Sequence, residues 1–408
     1  MTIAVDELIE LAVEKPAAGG AMIARSDGRV VLVTGAIPGE RVRARIDRVS
    51  KSVVFAHTVG VEEASADRRD GFVDPLCGGC VYGHIAYPRQ LEIKAQVIAD
   101  AFARIGRLPL AAPVPVAPSI EEGYRMRARL HVRGARIGFF REGTHDVCDP
   151  RASRQLLPQT ADAIDRLAGA VRSLGADTVR EIELAENVDA TERVVHLDAT
   201  RLIERRALEA VTTVEGFTTG PYVTDRLTVD GHALTLRRHV RAFFQGNRYL
   251  LASLAAHVAG QIPAGSSVVD LYAGAGLFSV AAAIARGAAV VAVEGDRFAA
   301  EALRVNATSA GGGVTAVHGA VESFAAPAQK ASVAIVDPPR TGMTPDALSR
   351  VAALRAERIV YVSCDPPTLA RDARALVDAG YVIDRADAFD LFPNTPHVET
   401  VVVFARPR

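Results

Sequence analysis

The chain has no tryptophan, aromatics amount to 5%, cysteines number four, and neither sign of charge is in excess. Four cysteines in 408 residues do not suggest the disulfide framework of a small secreted domain. Lys and Arg total 47 against 48 Asp and Glu, so no global field forces a nucleic-acid partner. Any such binding has to use local basic surface. No run of about 18 apolar residues occurs, so no helical membrane span is expected. The opening MTIAVDELIELAVEK is acidic and lacks a long apolar stretch, unlike a secretory signal. The chain is therefore expected to be soluble and cytoplasmic, and we find no internal repeat of fixed period.

What is present divides the chain. Its length and 49% hydrophobic content predict two or three domains. Residues 1–60 read as short strands separated by Gly19-Gly20, Ser26-Asp27-Gly28 and Pro38-Gly39-Glu40. Alternation such as Val42-Arg43-Ala44-Arg45-Ile46 fits a half-buried strand, and several such strands suggest an OB-like β-barrel. Residues 61–122 read as a polar linker, a Cys77-Gly78-Gly79-Cys80 loop, a helix over 88–106 and a proline-rich connector. Leu91, Ala95, Ile98, Phe102 and Ile105 mark that helix. Residues 123–240 read as a central α+β region, in which 174–220 is the least legible stretch. From 241 to 408, apolar strands alternate with helices, the pattern of a mostly parallel sheet covered on both faces.

Two basic runs stand out, Arg41, Arg43, Arg45, Arg48 and Lys51, and Arg125, Arg127, Arg129, Arg133, Arg136 and Arg141. Each reads equally as a solvated strand face or as a phosphate-binding surface.

The chemistry concentrates in the last domain. Asp270-Leu271-Tyr272-Ala273-Gly274-Ala275-Gly276 ends one strand and opens a helix, and the next strand ends in Glu294. Glycines let such a loop turn sharply under a ligand, and an acid at the next strand end can accept from ribose hydroxyls. The loop is G-x-G without the third glycine of a pyrophosphate-binding fingerprint, which suits S-adenosylmethionine, an adenosine without phosphates. Asp337-Pro338-Pro339-Arg340 and Ser363-Cys364-Asp365-Pro366 follow two more apolar strands, so Asp337 and Cys364 reach the same sheet edge. Cys364 is a candidate nucleophile, and Glu399 and His397 in the tail are proton-transfer candidates. For His397 a hydrogen-bonded loop residue is the simpler reading.

These stretches, with Phe243-Phe244-Gln245-Gly246-Asn247 and His397-Val398-Glu399-Thr400, resemble the family of RNA uridine-C5 methyltransferases that use S-adenosylmethionine. The first 60 residues resemble its RNA-binding TRAM barrel, and Gly123-Tyr124-Arg125 and Gly138-Phe139 match its central region. The resemblance implies a Rossmann-like class I methyltransferase domain at 241–408. It implies attack by Cys364 on C6 of a uridine, methyl transfer to C5 and proton removal by Glu399. It places Gln245, Tyr272, Gly274, Gly276, Glu294 and Asp337 around the cofactor, with Asn247 nearby. The partner expected is RNA, ribosomal in preference to transfer RNA, and the protein is expected to be a monomer.

Many relatives carry a four-cysteine iron–sulfur cluster. Here the first of those positions is Gly71 and the last, counted from Gly138-Phe139, is Ser153, with Cys148 five residues short. Two or three thiolates make a poor four-ligand site unless Asp74 or another oxygen helps, so no intact cluster is expected. Two other functions fit parts of the pattern. An amino-group methyltransferase would use a motif like Asp337-Pro338-Pro339 but would not need Cys364. A non-catalytic RNA-binding protein would need neither Cys364 nor Glu399.

Overall fold

The structure is a computed structural model that describes residues 4–70, 77–134, 136–141, 143–175, 178–204, 208–209, 211, 213–325 and 331–407. Five strands, β1 (Leu8–Pro16), β2 (Met22–Ser26), β3 (Arg29–Thr34), β4 (Arg41–Val49) and β5 (Val53–Glu63), close into a barrel in the order β1-β2-β3-β5-β4. The alternation in β4 does what its pattern predicts. Val42, Ala44 and Ile46 are buried in the barrel core while Arg41, Arg43 and Arg45 point outward. Glu40 is buried and holds the barrel to the segment that follows. Its carboxylate accepts from Ile37 N, Ser65 N and the Arg68 guanidinium. Burial alone would raise the Glu40 pKa, but the Arg68 contacts and the two backbone donors bring it below its ordinary value.

The stretch 61–122 is more than a connector. Its helix α1 (Tyr87–Ala101) continues through one π-helical turn, Phe102–Gly106, close to the expected 88–106. The buried face differs from the expected one. Ile93, Val97, Ile98, Ala101 and Phe102 are buried together with Gln90 and Lys94, whereas Ile105 is 49% exposed. The two polar residues go inward because the tail meets them there. Lys94 Nζ donates to Asp390 Oδ1 at 2.5 Å and to the Phe392 carbonyl, and Gln90 Nε2 donates to Asn394 Oδ1 at 2.9 Å. A short strand, β6 (Val116–Ala117), then joins the edge of the large sheet. Periodicity of apolar residues cannot find a face that is anchored by polar ones.

The central region holds β7 (Arg127–Arg133), β8 (Arg136–Phe140), β9 (Val147–Cys148), helix α2 (Pro158–Ser173), β10 (Val179–Glu186) and β11 (Arg193–Ala199). The sheet order is β11-β10-β7-β8-β9, covered by Ile164, Leu167 and Val171 of α2. A hairpin of β12 (Tyr222–Val229) and β13 (His232–His239) leads into the last domain.

That domain comprises α3 (Leu251–Gly260), β14 (Ser267–Leu271), α4 (Leu277–Arg286), β15 (Ala289–Glu294), α5 (Arg297–Ser309), β16 (Val314–His318), β17 (Val333–Val336), α6 (Pro345–Ala353), β18 (Arg358–Ser363), α7 (Pro366–Asp378), β19 (Val382–Phe389) and β20 (Glu399–Ala405). Its eight-stranded sheet runs β16-β15-β14-β17-β18-β20-β19-β6. Side chains alternate between its two faces. Val268, Ile335, Val360 and Val401 pack on α3, α4 and α5, while Val269, Val336, Tyr361 and Val402 pack on α6, α7 and the end of α1. Chain order reverses between β14 and β17, so a ligand crevice is expected outside the carboxyl ends of those strands. Among the described residues, no helix is long and apolar enough to cross a membrane.

Candidate active site

The crevice is present as a cleft of about 480 Å³. Of the residues singled out from the sequence, Gln245, Tyr272, Gly274, Glu294, Asp337, Cys364 and Glu399 line it.

Strand ends place most of them. β14 stops at Leu271 because Tyr272 takes a positive φ of 62°. That backbone conformation is unusual for a bulky residue and turns the chain out of the sheet. Gly274 follows with φ 56°, and its N–H donates to Glu294 Oε2 at 2.7 Å. The other Glu294 oxygen accepts from Asp296 N at 2.6 Å, so backbone donors fix the carboxylate at the tip of β15. Gly276 sits differently. It lies outside the cleft lining, with φ 93°, and a Cβ there would meet Leu303 Cδ1 at 2.8 Å. Its glycine serves helix packing behind the loop. Asn247 also faces inward. Its amide donates to Ser119 Oγ and the Leu391 carbonyl, and its oxygen accepts from Tyr249 N and Leu250 N.

Register places the rest. β18 and β20 are antiparallel with Ser363 opposite Thr400, so Cys364 just past β18 and Glu399 at the start of β20 come out at the same edge, where both line the cleft. Cys364 directly precedes Asp365, which caps α7 by accepting from Thr368 N at 2.9 Å. Asp337, one residue past β17, accepts from Gln245 Nε2 at 3.2 Å.

The cleft floor is acidic. Burial, with the charges of Asp270 and Glu294, pushes the Asp337 carboxyl up to about 8, although Gln245 opposes this. Asp270 beneath the loop is pushed up to about 7, mainly by burial, and its Oδ1 has no hydrogen-bond partner. Glu399 is raised well above an ordinary carboxyl, by burial and then by Asp337. The Cys364 thiol is pushed up to about 12, by burial first and then by the Glu399 charge, while the neighbouring Arg340 opposes the shift. Cys364 is therefore a protonated thiol in the free protein at neutral pH. Its alkylation by iodoacetamide, followed by peptide mapping, is expected to speed up about tenfold per pH unit between pH 7 and 9. A plateau already reached near pH 7 would show a poised thiolate instead.

Further wall residues escaped the sequence reading as cleft residues: Tyr124, Phe243, Arg340 and Phe392, and the pair Arg125 and Arg127 of the second basic run. The central region reaches the cleft because residues 124–126 run antiparallel to 246–248. Met126 N donates to the Gly246 carbonyl and Arg248 N to the Tyr124 carbonyl, both at 2.9 Å. Only the resemblance through Gly123-Tyr124-Arg125 pointed there. His397 lies outside the cleft, in a smaller adjoining cavity.

The cysteines also differ from expectation. Cys77 and Cys148 form a disulfide, although four cysteines did not suggest a disulfide framework. The cause is sheet pairing. Cys77 bridges Arg141, and Cys148 lies opposite Phe139, which brings the two Cα atoms to 5.7 Å. Ser153 is buried and donates to the Pro150 carbonyl. Gly71 and Asp74 lie outside the described residues.

A doubly covered, mostly parallel sheet with this cleft, preceded by a five-stranded barrel, defines a methyltransferase of the Rossmann-like class with an N-terminal accessory barrel. Comparison with known proteins makes this specific. Residues 327–407 match the family model for tRNA (Uracil-5-)-methyltransferase, and residues 5–59 match the TRAM domain. The chain is 32% identical to the 23S rRNA (uracil(1939)-C(5))-methyltransferase of Halomonas elongata, over 98% of this chain and 89% of that one. It is 31% identical to an uncharacterized RNA methyltransferase of Corynebacterium efficiens, over 98% and 95% of the two chains. The solved Pyrococcus abyssi tRNA (uracil-54, C5)-methyltransferase, in complex with S-adenosyl-L-homocysteine, superposes with a TM-score of 0.76 at 25% identity, covering 97% of this chain and 99% of that one. The chain belongs to the RNA uracil-C5 methyltransferase family and is an RNA (uracil-C5)-methyltransferase with a TRAM domain.

Proposed function

We propose that the protein methylates C5 of a uridine in ribosomal RNA with S-adenosylmethionine as donor. The observation that carries the mechanism is that Cys364, one residue past β18, and Glu399, at the start of β20, line one cleft with Asp337 and Glu294.

The cleft fits the donor. A Cβ on Gly274 would approach only the Phe243 carbonyl, at 3.7 Å, so the loop leaves room for a ligand against its backbone. Carboxyls pushed up by burial and by one another are relieved by a cation, and the donor carries a sulfonium and an ammonium. Glu294 would accept from ribose hydroxyls, and Gln245, Tyr272 and Asp337 would line the rest of the donor site. When bound, S-adenosylmethionine supplies an electrophilic methyl group that C5 takes up.

The chain's own residues do the remainder. The thiol of Cys364 gives its proton to solvent as the base enters, and the resulting thiolate adds to uridine C6, which moves the C5–C6 electron pair to C5 and O4. Arg340 beside the sulfur favours the thiolate. After methylation, Glu399 takes the proton from C5, the C5–C6 double bond re-forms and Cys364 leaves as thiolate. The target base has to be splayed from its stack to reach the thiol, and the basic strands of the barrel and central sheet would hold the flanking phosphates.

Ribosomal RNA is preferred because relatives named for 23S rRNA match over nearly the whole chain at 31–32% identity, above the 25% of the transfer-RNA enzyme. The test is methyl incorporation into ribosomal and transfer RNA taken from a strain that lacks the gene, with 5-methyluridine mapped. We expect a single ribosomal uridine. Incorporation confined to transfer RNA would overturn the substrate assignment.

An iron–sulfur cluster does not fit the described residues, since Cys77 is bonded to Cys148 and Ser153 is spent on the Pro150 carbonyl. Protein purified anaerobically is expected to carry no stoichiometric iron or sulfide. Four irons per chain would contradict this.

A further inference from the structure

A second cavity of about 190 Å³ opens beside the catalytic cleft, and the methylation chemistry leaves most of its walls unused. Gly78 and Gly79 of the Cys-Gly-Gly-Cys loop form one side, Phe139 and Phe140 at the end of β8 another, and His397 a third. Arg125, Arg340 and Phe392 line both cavities, so three side chains form a shared waist between them.

The waist is cationic. Arg125 donates to the Arg127 carbonyl at 3.0 Å and to Gln155 Oε1, both neutral acceptors, and its guanidinium lies over the Phe139 ring at 5.4 Å. Burial weakens Arg125's hold on its proton, Tyr124 opposes this, and the Arg340 charge adds to it, as expected of two guanidiniums that line the same waist. Two guanidiniums at the junction of two cavities suit a phosphodiester.

The cavity beyond the waist suits a base. The Phe392 and His397 rings meet edge to face, 5.9 Å apart at 77°, which makes an aromatic corner. Burial, and then the Arg340, Lys94 and Arg125 charges, bring the His397 pKa down to about 4. Its imidazole is therefore neutral at pH 7 and presents one donor and one acceptor to a base edge. The floor is fixed. Gln155 Nε2 donates to the Gly79 carbonyl at 2.6 Å, and a Cβ on Gly79 would fall 1.8 Å from that same nitrogen. Gln155 thus ties the loop to Arg125.

We propose that this second cavity takes the base of a nucleotide adjacent to the target uridine, with the phosphate between them held by Arg125 and Arg340. The proposal rests on the RNA methyltransferase reading above and adds a place where flanking sequence is read. It also gives the Cys-Gly-Gly-Cys loop a role that needs no cluster.

The test uses a short RNA containing the methylated uridine and two abasic versions, lacking the base on its 5′ or its 3′ side. Affinity and kcat/KM are measured for the wild-type protein, His397→Ala and Phe140→Ala. We expect one abasic RNA to bind and react about tenfold or more worse than the intact one with the wild-type protein. His397→Ala should lose a similar factor on the intact RNA and little on that abasic RNA, where its unchanged rate also reports correct folding. If Phe140→Ala alone shows this pattern, the base stacks there and the proposal stands. Equal handling of all three RNAs by the wild-type protein would overturn it, as would losses that simply multiply in both variants. Failure of the underlying function looks different, because intact RNA would then gain no 5-methyluridine, while the binding comparison would still test the subsite.

Discussion

Replacing Cys364 by alanine is expected to lower methyl incorporation by at least about 10⁴-fold while S-adenosylmethionine binds within about twofold of wild type. The asymmetry follows from placement. Cys364 stands one residue past β18, near Glu399, whereas the groups assigned to the donor sit at the ends of β14, β15 and β17 and at Gln245. Without the sulfur, C5 of uracil has no enolate character and is too weak a nucleophile to take a methyl group. The substitution removes a half-buried side chain at the cleft surface and leaves the Ser363–Asp365 turn and the α7 cap in place. Calorimetric titration of the donor and a tritium-release assay on the same preparation measure both halves. Appreciable turnover by the variant would rule out the covalent route. Loss of donor binding would show that Cys364 is needed for the shape of the cleft.

Glu399→Gln is the second large effect, and it separates two steps. The amide is close in shape but cannot take a proton from C5. Attack by Cys364 and methyl uptake should still occur, so the variant should accumulate RNA joined to Cys364, with release slowed about 10³-fold. Denaturing gels would show a protein band shifted by the mass of the RNA. Release at the wild-type rate, with no shifted band, would move the base elsewhere. His397 is not the obvious substitute, since it lies in the neighbouring cavity.

The last domain was legible because its signals are local. Apolar strands of one sheet end in the residues that do chemistry: Glu294 ends β15, and Asp337 and Cys364 stand one residue past β17 and β18 respectively. Helix starts have local causes too: α5 begins at Arg297, where Asp296 accepts from Phe298 N and Ala299 N. The central region was harder because polar residues occupy its interior. β10 reads VREIELAE, and its last residue, Glu186, is buried among Thr160, Arg193 and Arg248. A hydrophobic pattern does not foresee a strand whose buried end is a carboxylate. α1 failed in the same way at Gln90 and Lys94. The arginine side of the cleft and the Cys77–Cys148 bond depend on pairings between distant segments, 124–126 with 246–248 and Cys77 with Arg141. Nothing in either segment alone announces its partner.

The central claim is that Cys364 bonds to C6 of the target uridine and that Glu399 must then remove a proton from C5. RNA in which that uridine is replaced by 5-fluorouridine tests it most directly. Fluorine at C5 cannot leave as a proton, so the methylated intermediate has no way to eliminate. With S-adenosylmethionine present, we expect a stable one-to-one protein–RNA adduct, mapped by mass spectrometry of the digested complex to the peptide carrying Cys364. No adduct, or an adduct on any other residue, would contradict the account.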